Sequence, residues 1–231
     1  MLIDAWRADY CGLVGCAALH ISADSPPPRF PLCSTAMNNS TTYSRSPELM
    51  SPADTALVIV DVQVKLMPLI RGEKRILWNL RRLLDGAEAT GVRALATEQY
   101  PQGLGPTVPE LASRLGQVPS KAAFSCAGCE PFMGELQASG ASKVLVAGIE
   151  AHVCVQQTVL DLLAGGYRVF VPVDAVGSRY DVDYQTGLRR MESSGATLTT
   201  TESALFEWCQ VSGTPTFKKI SALVREPAPQ D

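Results

Sequence analysis

The stretch "VAGIEAHVCVQQTVLDLLAGGYRVFV" (residues 146–171) decides the fold. It opens on a short apolar run and closes on another, and short runs of this kind are typical of strands buried on both faces. Between them, Val155, Val159, Leu162 and Leu163 recur on one side of a helix. A strand, a helix and a second strand in this order predict a parallel β-α-β unit.

The same alternation runs through most of the chain. We predict strands in "ALVIVDVQ" (56–63), "VRALATE" (92–98), "SKVLVAGIE" (142–150), "YRVFVPVDAV" (167–176) and at the start of "ATLTTTES" (196–203). We predict helices at 73–91, 107–116, 130–140, 151–166, 181–195 (capped by Asp181 or Asp183) and in the last stretch, 214–230, which ends in a proline-rich tail. The expected fold is a Rossmann-like, three-layer α/β/α sandwich around a mainly parallel sheet.

The first 50 residues have a different composition. They are rich in Ser, Pro, Thr and Asn, so we expect a flexible extension at 1–50 and a folded domain at 51–231. Asp4 and Asp9 precede a mildly apolar run, which disfavours a secretory signal because such a signal begins with positive charge. Met37 and Met50 are candidates for alternative starts.

Composition narrows the possible partners. The formal net charge is −3 without a basic cluster, so neither nucleic acid nor a membrane is an expected partner. Seven irregularly spaced cysteines fit reduced thiols in the cytoplasm better than a disulfide framework.

Reactive side chains follow the predicted strands. Asp61, Glu98 and Asp174 end three of them, and Cys154 lies just after another. In parallel sheets, ligands bind beyond the carboxyl ends of the strands. Cys154 also falls in the first turn of a predicted helix, where the helix dipole favours a thiolate. The alternative is a cysteine that only packs in the core.

A nucleophilic cysteine needs a base. The chain has two histidines, His20 in the extension and His152, which is two residues from Cys154 and cannot face it on a helix. Asp61 is therefore the best candidate for the base, and Lys121 for a cation that holds both groups, although a lone lysine is more often a surface residue.

Two other chemistries have weaker support. The histidines stand at no zinc-ligand spacing, so we expect neither a metal nor a cofactor. Cys126 and Cys129, in "CAGC", have the spacing of a redox motif, but packing or loop positions are the alternative.

Several ordered blocks over residues 54–229 resemble the isochorismatase-like cysteine hydrolases, in particular the branch of isochorismatase domain-containing proteins. They are "ALVIVDVQ", "TEQYPQGLGPTVPEL" (97–111), "SKAAFSC" (120–126), "GIEAHVCVQQT" (148–158) and "SGATLTTTESALFEW" (194–208). The resemblance implies a catalytic triad of Asp61, Lys121 and Cys154.

Further site features follow from the same resemblance. It implies a cis peptide bond between Ile149 and Glu150, and an oxyanion hole made by the backbone N–H groups of Glu150 and Cys154. Residues that flank the triad in sequence are candidates for substrate binding, and each could equally be structural: Gln63, Glu98, Tyr100 and Phe124, the last with core packing favoured.

The expected activity is cysteine-dependent hydrolysis of a small carbonyl compound, with an amide C–N bond favoured. Vinyl-ether hydrolysis, as in true isochorismatases, and a binding protein on the same fold are the alternatives. Metal-dependent nicotinamide hydrolysis is disfavoured because "TEQYPQG" has no histidine. The resemblance also implies a homo-oligomer, a dimer or tetramer, in which Phe206 and Trp208 lie either at an interface or in the core.

Overall fold

The computed structural model describes residues 44–230 and has a seven-stranded sheet at its centre. The strands are β1 (Thr55–Val60), β2 (Arg93–Gln99), β3 (Ser120–Lys121), β4 (Lys143–Ile149), β5 (Arg168–Pro172), β6 (Val176–Gly177) and β7 (Thr197–Thr199). Their order is β3-β2-β1-β4-β5-β7, with β6 paired to β4, and every pairing between them is parallel. The predicted fold class is confirmed.

The central strands are apolar on both faces because helices cover both. All six residues of β1 are buried. Leu57 and Ile59 pack into one core, and Val58 and Val60 into the other, as the two-residue repeat of a strand requires. Each such side chain contributes about 1.5–3 kcal/mol of burial free energy.

Eight helices and three short turns complete the described part of the chain. The helices are α1 (Glu73–Thr90), α2 (Pro101–Leu104), α3 (Pro109–Ala112), α4 (Glu130–Ala138), α5 (Gln156–Ala164), α6 (Asp181–Ser193), α7 (Thr201–Cys209) and α8 (Pro215–Val224). The turns are Met67–Leu69, Cys126–Gly128 and the π-helical Ala151–Val155. Helices α1, α7 and α8 cover one face, and α4, α5 and α6 the other. Within residues 44–230, no helix combines the length and apolarity that crossing a membrane requires.

Several element boundaries differ from the expectation. The predicted strand at 167–176 is two strands, β5 and β6, which pair with different stretches of β4. The predicted helix at 107–116 is the single turn α3. Neither aspartate caps α6, because its N-cap is Tyr180 and both aspartates lie in its first turn. Trp208 is fully buried in the α1 core, whereas Phe206 is partly exposed.

The folded unit begins at Arg45, earlier than the expected Ser51. Met50 is completely buried, and its N–H donates to a Glu207 carboxylate oxygen at 2.7 Å. Lys143 Nζ donates to the Leu49 carbonyl at 2.7 Å. Residues 45–50 are therefore part of the domain, whereas the expectations for residues 1–43 lie outside the described residues.

Gly148 allows β4 to lie close to β1. Its φ is +118°, and a Cβ added there would lie 2.3 Å from the Val60 carbonyl oxygen. Backbone atoms cannot move aside without opening the sheet, so only glycine fits.

We expect Gly148→Ala to destabilise the domain by about 3 kcal/mol or more, because a backbone clash and a disfavoured φ act together. Gly134→Ala, in α4, is the matched control, since a Cβ there meets nothing within 4 Å. It should stabilise the helix by about 0.5–1 kcal/mol. Urea unfolding would measure both, and equal effects would contradict the packing assigned to Gly148.

Candidate active site

Asp61 leaves the carboxyl end of β1 and points into the protein. Its φ is +52°, in the left-handed region that non-glycine residues seldom adopt. Its N–H donates to the Thr97 carbonyl of β2 at 3.1 Å, and its side chain is fully buried. Strained backbone of this kind is common at functional sites.

Lys121, in β3, forms a buried ion pair with Asp61. Its Nζ donates to Asp61 Oδ2 at 2.6 Å, and both side chains are inaccessible to solvent. The same Nζ donates to Gln99 Oε1 at 2.8 Å and to the carbonyls of Ala123 at 3.2 Å and Phe124 at 2.8 Å. Four acceptors therefore fix the ammonium, and the surface-lysine alternative is wrong.

Cys154 lies in the π-helical turn that precedes α5, close enough to Asp61 for each group to affect the pKa of the other. It is 7% exposed. Its carbonyl accepts a hydrogen bond from Thr158 Oγ1 at 2.7 Å, which fixes the turn on the first residues of α5. Cys154 is therefore almost enclosed by the protein, and the hydrogen bond at its carbonyl holds its turn in place.

The titration of the two acids reflects their burial. Burial raises the pKa of Asp61, against the opposing effect of the Lys121 charge. Burial, and then the Asp61 charge, raise the pKa of the Cys154 thiol, again opposed by Lys121. The lowered thiol pKa expected at a helix start is thus not found, because burial and the neighbouring Asp61 charge both disfavour the thiolate. The arrangement favours a neutral thiol beside a carboxylate of increased basicity.

The segment between β4 and Cys154 is held by charged side chains. The Ile149–Glu150 peptide bond is cis. Glu150 is buried and accepts from Arg179 Nε at 2.6 Å, and His152 Nδ1 lies 3.0 Å from Ser178 Oγ. These contacts join the segment to the chain that follows β6.

Two of the candidate substrate-binding residues are occupied by structural hydrogen bonds. The Gln63 amide donates to the carbonyls of Gln99 at 3.0 Å and Gly105 at 2.6 Å, and accepts from the Gln99 N–H at 2.8 Å. Glu98 Oε1 accepts from the N–H of Thr107 at 2.6 Å and from its hydroxyl at 2.7 Å. Both side chains hold the loop after β2 in place.

The other two candidates are open to solvent. Tyr100 is 60% exposed and Phe124 is 52% exposed. Core packing of Phe124 is therefore wrong for this chain. Since the Phe124 carbonyl binds Lys121 and Tyr100 directly follows β2, both residues belong to the edge that holds the ion pair.

Strand alternation identifies two residues that the sequence reasoning missed. Thr97 Oγ1 donates to Asp61 Oδ1 at 2.9 Å, and Gln99 contacts Lys121. Residues two apart in a strand share a face, so Thr97 and Gln99 reach the site while Glu98 points away from it. The two-residue period of β2 was the signal that distinguishes them.

Cys126 and Cys129 are buried free thiols. Burial and the Asp61 charge raise the pKa of Cys126 to about 11. Cys129 Sγ lies 3.8 Å from the Ser120 carbonyl. A reactive redox pair needs accessible, acidic thiols, so the packing alternative fits better.

A cavity of about 550 Å³ lies at the same end of the sheet but holds none of the three reactive residues. It opens between the start of α1 and the 173–184 segment, and Arg71, Asp174, Ser178 and Tyr184 are among its lining residues. The described residues include no group of three or more His, Cys, Asp or Glu side chains that could hold a metal ion. We place the candidate site at Asp61, Lys121 and Cys154 because the buried ion pair and the thiol are found there, whereas the cavity has no comparable group of reactive side chains.

The chain is similar to known proteins over the same region. Residues 55–203 match the family described as "Isochorismatase domain". The mouse protein named "Isochorismatase domain-containing protein 2A" is 40% identical over 179 residues, which cover 77% of this chain and 86% of that protein.

Solved structures share the fold. One from Caenorhabditis elegans, described as MAR1 ribonuclease, is 38% identical with a TM-score of 0.73, and the match covers 79% of this chain and 95% of that one. A structure of YcaC from Pseudomonas aeruginosa, described as containing hexane-2,5-diol and covalent acrylamide, is 27% identical with a TM-score of 0.72, covering 78% of this chain and 93% of that one.

We expect Lys121→Met to cost about 3–5 kcal/mol of unfolding free energy at neutral pH, because it leaves a buried carboxylate without its cation. Without the ammonium, the pKa of Asp61 rises further above its unfolded value. The folded state then holds that proton more tightly, so stability is lost as pH rises and the deficit is larger at pH 8 than at pH 5. Denaturant unfolding at both pH values would measure it.

Two further variants control this prediction. Lys74→Met removes an exposed lysine and should change stability by about 0.5 kcal/mol or less. Adding Asp61→Asn to Lys121→Met should recover part of the loss. A loss of unfolding free energy that is independent of pH would contradict a buried ion pair. So would a double variant that is less stable than Lys121→Met alone.

Proposed function

This chain belongs to the isochorismatase-like hydrolase family, and from that premise we propose that it hydrolyses a small carbonyl compound, with an amide favoured. Asp61, Lys121 and Cys154 are the proposed catalytic residues. The observation that carries the proposal is the solvent-free Lys121–Asp61 ion pair at 2.6 Å beside the thiol of Cys154, a residue that is 7% exposed.

The first half of the reaction acylates the cysteine. Asp61 accepts the Cys154 proton as the sulfur attacks the carbonyl carbon, and the C–S bond forms while the carbonyl electron pair moves to oxygen. The backbone N–H groups of Glu150 and Cys154 are the proposed donors to that oxyanion. Asp61 then gives its proton to the leaving nitrogen, the C–N bond breaks, and a thioester remains.

The second half returns the enzyme to its starting state. Asp61, again ionised, takes a proton from water, and the hydroxide adds to the thioester carbonyl. The C–S bond breaks, the acid leaves, and the sulfur recovers the proton from Asp61. Lys121 keeps the carboxylate in position throughout, and its charge offsets the negative charge that passes between oxygen and sulfur.

A small substrate fits the accessibility of the site. Cys154 is 7% exposed and Asp61 is fully buried, so the reacting carbonyl must enter a narrow opening. Exposed Tyr100 and Phe124 remain our candidates for contact with the rest of the substrate. The C. elegans relative is described as a ribonuclease, but a net charge of −3 and this narrow opening favour a small molecule over RNA.

A binding protein without catalysis is a poorer account of the same geometry. Burying an ion pair costs several kcal/mol of desolvation per ion, and apolar residues of similar volume would give an equally stable core. A fold that needs only a binding surface has no use for that pair beside a thiol.

Homo-oligomerisation and a cytoplasmic location are part of the proposal. The four described cysteines, 126, 129, 154 and 209, are free thiols, which suits a reducing compartment. Large apolar side chains, among them Val182 at 71% and Tyr180 at 63%, are exposed at the start of α6, which suits a covered surface.

We expect Cys154→Ala to abolish hydrolysis in a panel of small amides and ureides, by at least about 10³-fold, since no other group can form the thioester. Mass spectrometry of the unaltered chain, quenched during turnover, should show the acyl group on Cys154. Acrylamide is a suitable small electrophile for labelling the same sulfur.

Cys209→Ala is the matched control, because it removes another buried thiol, one that donates to the Val211 carbonyl and packs in the core on the α1 side. It should leave turnover and labelling unchanged. Amide hydrolysis that survives Cys154→Ala, or acyl groups found only on other cysteines, would refute the scheme. An RNA arm belongs in the same panel, and RNA cleavage lost in Cys154→Ala would replace amides by RNA as the substrate.

Light scattering on the purified chain should give a multiple of 24.7 kDa, with two or four subunits expected. Val182→Glu should lower that mass if the start of α6 is the covered surface, because it puts an unpaired charge into an apolar contact. A single-subunit mass for the unaltered protein would contradict the oligomer.

A further inference from the structure

A second thiol reaches the catalytic carboxylate through a hydroxyl. Thr97 Oγ1 donates to Asp61 Oδ1 at 2.9 Å, and the same oxygen lies 3.2 Å from Cys126 Sγ. Thr97 and Cys126 are 1% and 0% exposed. Asp61, Thr97 and Cys126 therefore form a continuous series of hydrogen bonds away from solvent. The series ends on Asp61 Oδ1, whereas Lys121 binds Asp61 Oδ2.

Which group donates in each of these hydrogen bonds follows from counting hydrogens. A threonine hydroxyl has one hydrogen, and an ionised carboxylate can only accept. The Thr97 hydrogen therefore belongs to the Asp61 bond, and Cys126 must donate its S–H to Thr97. Only a neutral thiol can do so, and the raised pKa of Cys126, about 11, agrees with this role.

Thr158 holds Cys126 in the position from which it contacts Thr97. Its hydroxyl accepts the Cys126 N–H at 2.9 Å and donates to the Cys154 carbonyl at 2.7 Å. One buried hydroxyl thus ties the turn that carries Cys126 to the turn that carries the nucleophile.

We propose that Cys126 and Thr97 are positioning residues that hold Asp61 in the ionised, correctly oriented form that accepts the Cys154 proton. This inference rests on the proposed function and deepens it. It also gives Cys126 a task as a hydrogen-bond donor, in place of the redox role that its spacing from Cys129 suggests.

Three titratable groups face Asp61 within the described residues. They are Lys121 from β3, Cys154 from the π-helical turn and Cys126 from the turn before α4. Because Cys154 and Asp61 share a proton, the titration of Asp61 alone is best read in a Cys154→Ala background.

In that background we expect Thr97→Val to raise the pKa of Asp61 by about one unit, because it removes a hydrogen bond to the charged form. Thr97→Ser keeps the hydroxyl and should stay within about 0.3 unit of the parent. Cys126→Ala should shift the pKa in the same direction by less, and Cys126→Ser, which still donates, should restore it. The measurement is the pH titration of the Asp61 carboxyl ¹³C NMR signal, assigned with Asp61→Asn.

An unshifted signal in Thr97→Val, or an equal shift in Thr97→Ser, would overturn the inference. If Thr97→Val does not fold, the comparison of Cys126→Ala with Cys126→Ser tests the inference instead. Equal pKa values of Asp61 in these two variants would overturn the inference. These outcomes are separate from the proposed function, since the titration needs neither substrate nor nucleophile. A normal acyl-enzyme with no shift refutes only the positioning roles, and the predicted shifts without any amide turnover refute only the hydrolase.

Discussion

The ion pair between Lys121 and Asp61 is the interaction on which the site depends. Two charges without solvent contact are tolerated only when their remaining hydrogen-bonding capacity is met. Here the carboxylate has Thr97 on one oxygen and Lys121 on the other, and the ammonium has two carbonyls and an amide as well. Neither charge can be removed alone without leaving the other unpaired, so the pair ties β1, β2 and β3 into one electrostatic unit.

The parallel sheet makes this unit possible. The carboxyl ends of β3, β2, β1 and β4 lie side by side, so Asp61, Lys121 and Cys154, which are 33 to 93 positions apart in the chain, reach one edge. In this arrangement few of the reacting groups have to move. The sulfur is fixed by the turn before α5 and the carboxylate by its strained backbone, so the proton transfer that we propose between them would need little reorganisation.

Much of this could be predicted from sequence, because the strong signals are local. The apolar runs at β1 and β4 and the periodicity of α1 and α5 fix the layers, and strand ends identify Asp61 and Cys154. Lys121 came from the family resemblance more than from its own surroundings. The short strand β3, which carries it, has two residues and no pattern that a sequence reveals.

What sequence reasoning missed depends on tertiary contacts. Helix-start electrostatics suggested an acidic thiol, but the burial that reverses this is set by elements distant in the chain. Glu98 is a candidate from its place at the strand end, but its neighbours Thr97 and Gln99 share the face that meets Asp61 and Lys121. Cys126 looked like half of a redox motif, and only its contact with Thr97 shows a different environment.

The absence of a side chain at Gly148 has a consequence for reading inherited variation in this chain. The residue bears no reactive group, yet it sits against Val60, the residue directly before Asp61. A missense change there would displace the Asp61 carboxylate while leaving the side chains of Asp61, Lys121 and Cys154 intact. A clinical or evolutionary survey that scores only those three positions would class such an allele as functional, although its geometry is lost.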